Sequence, residues 1–367
     1  MSARPLPLSP PDRVPATARI LAADAAALQQ ARERLLADQV VAFPTETVYG
    51  LGGNALSPAA ITRIYEAKGR PSWNPLIVHV ANVAAAQALV SAWPASATRL
   101  AQQFWPGPLT LVLPRAEHVP PAVSAGRPTI ALRVPNHPLA LRLLQVCGLP
   151  LAAPSANRSQ GISPTRAEHV AASLSAADVP LILDGGPCRH GIESTVIDLS
   201  CSPPRLLRPG ATPLSALRAL LPDLALPDAP LSDAGGLAID ESLPASPGMM
   251  RRHYAPRTPL SFLSPPLLDS LRALPAPRGL LTHRDLPTLS AECAVVEKLP
   301  DDAEGYAADL YAALHRLDDA WPRLASLAVV PPPGANPADL AAALTDDLWL
   351  SIHDRLRRAA APKNVKD

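Results

Sequence analysis

Short apolar runs and stretches of helical periodicity take turns along this chain, the pattern of strands feeding helices. Residues 39–43, QVVAF, form an apolar run closed by Pro44 and read as a buried strand that ends where polar residues begin. Residues 76–80, 108–113, 129–134, 149–153, 179–183 and 205–208 carry the same signature. Helical spacing fills the gaps. Residues 18–38 place Leu21, Ala25, Leu28, Arg32 and Leu35 three or four apart. Ser57 before Pro58 starts a helix that carries Ile61, Ile64, Tyr65 and Lys68 and stops at Gly69. Further helices are expected over 84–90, 96–104, 137–147 with Gly148 as its stop, from Ser163 or Thr165 onward, and over 214–221.

From Thr258 the alternation resumes: PLSFLS, a helix to Leu274, RGLLTH, CAVVEKL, a long helix over 301–319, LAVVPPP and a last helix to Ala361. The expectation is an α/β protein: a flexible amino-terminal segment 1–17, a first domain over 18–221, a linker over 222–257, and a smaller α/β domain with a parallel sheet over 258–367. The linker is rich in Pro, Asp, Gly and Ser. Its end, SPGMMRRHYAP, crowds two arginines, a histidine and a tyrosine, an odd composition for a passive spacer, with a solvated basic turn as the plainer alternative.

Composition adds limits. A chain of 367 residues exceeds one ordinary core, and 48% hydrophobic residues are ample to fill two. The formal charge of +1 argues against a general nucleic-acid coat and leaves room for a local basic cleft. Cys147, Cys188, Cys201 and Cys293 show no CxxC or Cys/His spacing, so neither a structural zinc nor a disulfide frame is expected. There is no signal-peptide core and no run of about 18 apolar residues, so the expected location is the cytoplasm, with no membrane segment. The 46 prolines reflect in part an Ala-, Pro- and Arg-rich coding bias and are discounted one by one.

The chemistry gathers at strand ends. No GxSxG setting for a nucleophile occurs, nor clustered His and carboxylates for a metal. What recurs is cationic or small polar groups: Lys68, Arg70, Arg133, Ser155, Asn157, Ser163, Ser194 and Arg208. These suit a polyphosphate, because arginine forks and lysine ammonium groups neutralise phosphate oxygens and phosphoryl chemistry is mostly positioning and charge stabilisation. The densest stretch, residues 42–80, joins Thr45, Glu46, Thr47, Lys68, Arg70, Asn74 and His79 in one unit. A solvated loop beside a core helix is the plainer reading of any one of them.

Seven motifs in order, PTETVYGLGGNA, KGRPSWNPLIVHV, WPGPLTLVL, IALRVPNHP, APSANRSQGISPT, IESTVID and LLRPGA, closely resemble the YrdC/Sua5 family of threonylcarbamoyl-AMP synthases, over about residues 24–211. RRHYAPRTPL and the trailing domain are similar to the longer Sua5 form. The resemblance implies a YrdC-like twisted open mixed sheet with helices, plus a smaller Rossmann-like α/β domain. It implies condensation of L-threonine, bicarbonate and ATP, with Mg2+, to threonylcarbamoyl-AMP and pyrophosphate, for the t6A37 modification of ANN-decoding tRNAs. By motif position, Lys68 and Arg70 are the KxR pair and Ser155 and Asn157 the SxN pair, on the ATP phosphates, with Lys68 and Arg70 catalytic. Asn74, Thr129, Ser163 and Arg208 are further ATP-side candidates, and Tyr254 covers the nucleotide. Thr47, His79, Arg133, Ser194 and the backbone of Ala153 match positions implied to hold threonine, Arg133 as partner of its carboxylate. No metal ligands are assigned. Glu46 stays open between Mg2+ and structural support, and His79 between ligand and core histidine.

The last helix, DDLWLSIHDRLRRAA, departs from a pattern in which glycines precede this motif, which leaves any role tied to those glycines open. The product is expected to pass to the t6A transferase machinery, and an RNA contact stays open. The rival reading is an RNA-binding or regulatory module, against which KGR, SAN and LLRPG together argue. A hydrogenase-maturation carbamoyl transferase would need acylphosphatase and zinc-finger segments that the sequence lacks. The second domain, with no GxGxxG and no P-loop, is expected to act through Arg252 and Tyr254 as a gate.

Overall fold

The computed structural model describes residues 19–226, 250–320, 322–333 and 347–362. The expectations for residues 1–17 and for most of the linker lie outside the described residues.

The first sheet is mixed. Its strands are β1 (Arg19–Ala22), β2 (Val41–Phe43), β3 (Gly50–Asn54), β4 (Ile77–His79), β5 (Leu109–Pro114), β6 (Thr129–Arg133), β7 (Leu151–Ala152), β8 (Leu181–Asp184), β9 (Thr195–Asp198) and β10 (Arg205–Arg208), in the order β1-β8-β2-β3-β7-β4-β6-β5-β9-β10. Helices α1 (Ala25–Leu36), α2 (Pro58–Lys68), α3 (Val83–Gln87), α4 (Ala95–Phe104), α5 (Pro138–Cys147), α6 (Ala167–Ser173) and α7 (Leu214–Leu220) connect them. Two large apolar clusters cover the sheet, one involving α2, α4, α6 and α7, the other α1 and α5.

The second sheet is parallel throughout, order β11-β14-β12-β13, from β11 (Leu260–Phe262), β12 (Arg278–Thr282), β13 (Val295–Lys298) and β14 (Ser326–Val329). Helices α8 (Leu267–Arg272), α9 (Pro287–Ser290), α10 (Ala303–Asp318) and α11 (Asp347–Ala360) flank it. One apolar cluster runs from this unit into the first: Tyr306, Tyr311, Leu356 and Trp349 share it with Val48, Ile162, Ile192 and Tyr254.

Three local differences from the sequence pattern have physical reasons. The first is at 18–38, where the helix begins only at Ala25, because Asp24 caps it with a 2.7 Å bond to the Ala27 amide, and β1 precedes it as an edge strand parallel to β8. The second is β3, which carries almost no strand propensity yet pairs with both β2 and β7. Its glycines permit close approach: a Cβ at Gly52 would fall 2.6 Å from the Phe43 ring. The third is α6, which starts at Ala167, two residues or more beyond the expected cap, after the Ser163–Pro164 stretch has been drawn against Tyr49 by a 2.8 Å backbone bond. The α2 limits, with Ser57 capping the Ala60 amide and Gly69 left-handed at φ 57°, agree with the pattern.

Candidate functional site

The open face of the first sheet has an apolar floor of Ile77, Val112, Ala131, Val196 and Leu207. Side chains two apart on a strand share a face, so Thr129, Ala131 and Arg133 of β6 line this floor, their two polar ends roughly 13 Å apart. β4 runs parallel to β6 with His79 beside Arg133, which leaves residues 74–75 level with the Thr129 end. The strands therefore define two ends of one site.

At the first end, Arg133 is buried and held on three sides: its Nη2 is 2.7 Å from a Glu46 oxygen, its Nη1 donates to Thr47 Oγ1 at 2.9 Å, and its Nε donates to the Gly107 carbonyl at 3.1 Å. Thr47 in turn meets Thr45 Oγ1, which ties the turn by donating to the Val48 carbonyl. Burial pushes the Glu46 carboxyl up, but the Arg133 guanidinium and the Asn136 backbone outweigh it and hold the group below its ordinary value. His79 is also buried, packs edge-on against Phe43, and has an Nδ1 with no partner among the described residues. Burial first, then the Arg133 charge, lowers it to about 3, so the imidazole is neutral. Ala153 lies mid-way between the ends, opposite Ile77, with its amide donating to the Ile77 carbonyl.

At the second end, Lys68 is clasped by the loop after β7. Its Nζ donates to the Ser155 and Asn157 carbonyls at 2.5 Å each, while the Ser159 amide donates to the Lys68 carbonyl. Arg70 donates to Asn74 Oδ1 at 2.5 Å and to the Asn74 and Pro75 carbonyls. Among the described residues neither Lys68 nor Arg70 forms an ion pair, although both are buried. Burial, reinforced by the neighbouring Arg70, pushes Lys68 well below its usual value, and burial lowers Arg70 to about 10. Uncompensated buried cations are costly, and a site that holds them is built for an anion. Asn157 presents a buried Oδ1 with no partner.

Arg208 enters from the edge. A register shift between β10 and β9 lets Leu207 join the floor while Arg208 turns back to donate to the Ser194 carbonyl at 2.9 Å and to its Oγ at 3.1 Å. Ser194 Oγ also meets Thr110 Oγ1 at 2.8 Å. Ser163 donates not into the site but to Glu193 Oε1 at 2.7 Å. Arg142, on α5, is exposed.

The chain at 253–255 covers the second end. Tyr254 is buried with φ 61°, stacks on Tyr311 at 5.6 Å, and lies beneath the Arg355 guanidinium; its hydroxyl has no hydrogen-bond partner among the described residues. His253, alongside at 4.0 Å, is buried and pushed well below its usual value, first by burial and then by the charges of Arg70, Arg358, Lys68 and Arg208. The basic cluster thus lies directly beneath the segment that the sequence marked as odd for a spacer. An open cleft of about 520 Å3 lies elsewhere, between Arg189, His190, Gly210 and the start of α10. The buried cations lie at the covered end and not in this cleft.

No group of three His, Cys, Asp or Glu side chains among the described residues could hold a metal ion. Glu46, the one carboxylate in the first end, is committed to Arg133, so the residues supply no protein cage for Mg2+.

Residues missed by the sequence reading are Glu193, Tyr311 and Arg355. The signal for the last was a helix with charged residues at 354, 355 and 358 interleaved with Ile352, Leu356 and Ala359, buried nearly all round.

Comparison with known proteins agrees with this architecture. The Sua5/YciO/YrdC family model, described as telomere recombination, matches residues 33–210, and the model described as threonylcarbamoyl-AMP synthase, C-terminal domain, matches residues 214–361. The chain is 48% identical over 236 residues to the threonylcarbamoyl-AMP synthase of Bacillus subtilis, 64% of this chain and 66% of that protein. It is 49% identical over 218 residues to that of Pyrococcus abyssi, 59% of this chain and 62% of the relative. The match thus spans slightly under two thirds of each relative's length. The crystal structure of P. abyssi Sua5 complexed with L-threonine superposes with a TM-score of 0.81 at 35% identity, covering 93% of this chain and 97% of that one. The α/β architecture, the ordered motifs and these matches together place the chain in the YrdC/Sua5 family, in its long form with the Sua5 carboxy-terminal domain.

Proposed function

We propose that the protein is an L-threonylcarbamoyladenylate synthase that condenses L-threonine, bicarbonate and ATP to threonylcarbamoyl-AMP and pyrophosphate. The observation that carries this reading is the pair of ends of one site: an arginine with a hydroxyl and a buried glutamate at one, and two buried basic side chains with no ion-pair partner among the described residues at the other. A relative solved with L-threonine supports that amino acid as a substrate, and we assign it to the first end.

In this reading the threonine carboxylate displaces part of the Arg133 hydrogen bonding and takes the guanidinium as its fork. Thr47 and Ser194 offer hydroxyls, the Ala153 backbone a further contact, and neutral His79 a ring nitrogen that adds no charge. The amine, having lost a proton to solvent or bicarbonate, bonds to the bicarbonate carbon, and water leaves. An oxygen of the resulting N-carboxylate then attacks the ATP α-phosphorus, and the bond to pyrophosphate breaks. Lys68 and Arg70, with Arg208, stabilise the charge that accumulates, while Asn74, Thr129, Ser155, Asn157 and Ser163 are placed on the nucleotide side. The described residues offer no carboxylate cluster to hold Mg2+, which would come with ATP and would supply charge neutralisation on its phosphates. Tyr254 closes over the nucleotide, which makes the segment 250–257 the element that must move for exchange.

The product is reactive and would be consumed by the machinery that forms t6A on tRNA. No described helix is long and apolar enough to cross a membrane, in keeping with a role in the cytoplasm. The test is pyrophosphate release measured with threonine or bicarbonate omitted in turn. The reading requires both; equal release without threonine would overturn the substrate, and tight salt-sensitive RNA binding with no nucleotide turnover would favour an RNA-binding module.

A further inference from the structure

We infer that Arg355, on α11 of the second domain, is a positioning residue for the nucleotide end of the site, an inference that rests on the function proposed above. Arg355 is fully buried and spreads its guanidinium over three acceptors: Nε donates to Glu193 Oε2 at 2.8 Å, Nη2 to the Pro209 carbonyl at 2.9 Å, and Nη1 to Asp354 Oδ2 at 2.8 Å. Its central carbon stands 5.3 Å from the Tyr254 ring. Glu193 completes its shell with Ser163 Oγ at 2.7 Å and the Tyr311 hydroxyl at 3.0 Å.

The placement of these grips is the substance of the argument. Glu193 adjoins Ser194, Pro209 adjoins Arg208, and His253, whose amide donates to the Arg358 carbonyl at 3.2 Å, adjoins Tyr254. Arg358 also donates to the Met250 carbonyl at 2.6 Å and to Asp354 at 2.9 Å, and Ser351 donates to the Gly210 carbonyl at 3.0 Å. One helix therefore holds three segments, each one residue from a candidate ligand group. It does so without entering the site itself.

Charge gives the same answer. Burial pushes the Glu193 carboxyl up, and Arg355 first, then Arg208, bring it below its ordinary value. With Arg355 removed, the buried carboxylate keeps Arg208 as its neighbouring cation, and Arg208 is drawn from Ser194 and from phosphate. Arg355 thus leaves Arg208 available to a ligand by occupying the glutamate. The Glu46–Arg133 pair at the opposite end makes none of these bonds, so α11 reaches the candidate threonine groups only through Ser194. Loss of Arg355 is therefore expected to weaken ATP binding more than threonine binding.

The experiment compares full-length Arg355→Met, Arg355→Lys, Glu193→Gln and the double variant Glu193→Gln/Arg355→Met with wild type, by calorimetric titration of ATP and, separately, of L-threonine. ATP affinity is expected to fall about tenfold or more in Arg355→Met, the scale of one lost charged hydrogen bond, with a clearly smaller fall in threonine affinity, transmitted through Ser194 alone. Arg355→Lys should recover part of the loss, and the double variant should lose less than the two single losses combined, because the orphaned carboxylate is gone. ATP affinity unchanged in Arg355→Met, or ATP and threonine affinity falling in parallel with no recovery by lysine, would overturn the proposal. If Arg355→Met does not fold, Glu193→Gln and Arg355→Lys decide by the same split. Because affinity is read directly, a wild-type enzyme that releases no pyrophosphate would remove the proposed reaction without touching this result.

Discussion

Glu46 and Arg133 approach within 2.7 Å in a place where each is almost wholly shielded from water. The pair is the charged anchor of one end of the site. Arg133→Ala leaves a buried carboxylate alone and is expected to cost about 3–5 kcal/mol of stability, with threonine binding lost. Glu46→Gln, which keeps the shape and removes the charge, should cost less. Chemical denaturation of both variants checks this, and equal losses would refute the pairing argument. The pH dependence has a definite sign. Because Glu46 is held below its unfolded value, its contribution is present at neutral pH and is lost as pH falls through the folded value, where the native carboxylate must finally take up a proton.

Lys68, stripped of water and beside Arg70, is lowered well below an ordinary lysine. A triphosphate would restore its preference for charge. ATP binding is therefore expected to take up protons at a pH above the lowered value of Lys68, a quantity read from titrations across the alkaline range in two buffers of different ionisation enthalpy. Lys68→Met should abolish the uptake and reduce pyrophosphate release by at least about a hundredfold while the fold persists. Equal binding enthalpies of the wild type in both buffers would rule out the coupling.

Tyr254 separates a ligand role from a packing role. Its hydroxyl is buried with no partner, so Tyr254→Phe removes an unsatisfied group and should leave the melting temperature unchanged or higher. If that hydroxyl serves the nucleotide, the same variant raises the KM for ATP. Tyr254→Ala, which also removes the stack on Tyr311, should lose both. An unchanged KM in Tyr254→Phe would make the residue packing alone.

His169 of α6 and His315 of α10 stack at 3.9 Å across the two units, with His315 Nε2 3.2 Å from the Ser163 carbonyl. Burial lowers His169 to about 3 and lowers His315 as well, each helped or opposed by the charges around them: Arg166, Arg316 and Arg257 on one side, Asp318 and Asp319 on the other. Two neutral rings can stack and two imidazolium ions cannot. The unfolded chain binds more protons between the ordinary histidine value and about 3, so stability falls as pH drops through that window. His169→Phe is expected to flatten the slope of stability against pH between about 4 and 6.5; an unchanged slope would mean that the pair does not report on acid.

Gly191 closes against α10. Its φ is 68°, and a Cβ there would stand 2.3 Å from the Ala307 carbonyl oxygen. Gly191→Ala should destabilise by about 2 kcal/mol or more, since strain and overpacking add. Denaturation measurements showing less than half of that would mean that the two units part easily at this point.

Much of this was legible along the chain because buried strands are short apolar runs and α2 and α5 carry their own punctuation at Gly69 and Gly148. β3 was not, since GLGGN has the wrong propensity and is a strand only because Phe43 and Ile64 need the space. The basic residues of the site could be picked out by type. Their division into a threonine set and an ATP set came from motif resemblance, whereas the parallel pairing of β4 and β6 that sets two ends apart in space is not visible along the chain. Arg355 lies 162 residues from Glu193, a separation across which no periodicity or motif speaks.

That separation has a consequence for synthesis. While the chain is being made, the segment bearing Glu193 emerges long before α11 does. Until α11 arrives, the first sheet can form with its glutamate facing no arginine from the second unit, so the carboxylate must stay hydrated, take a proton or draw Arg208 toward itself. The nascent first unit should accordingly hold its 193–194 and 208–210 segments loosely, and should set them only when the last helix docks.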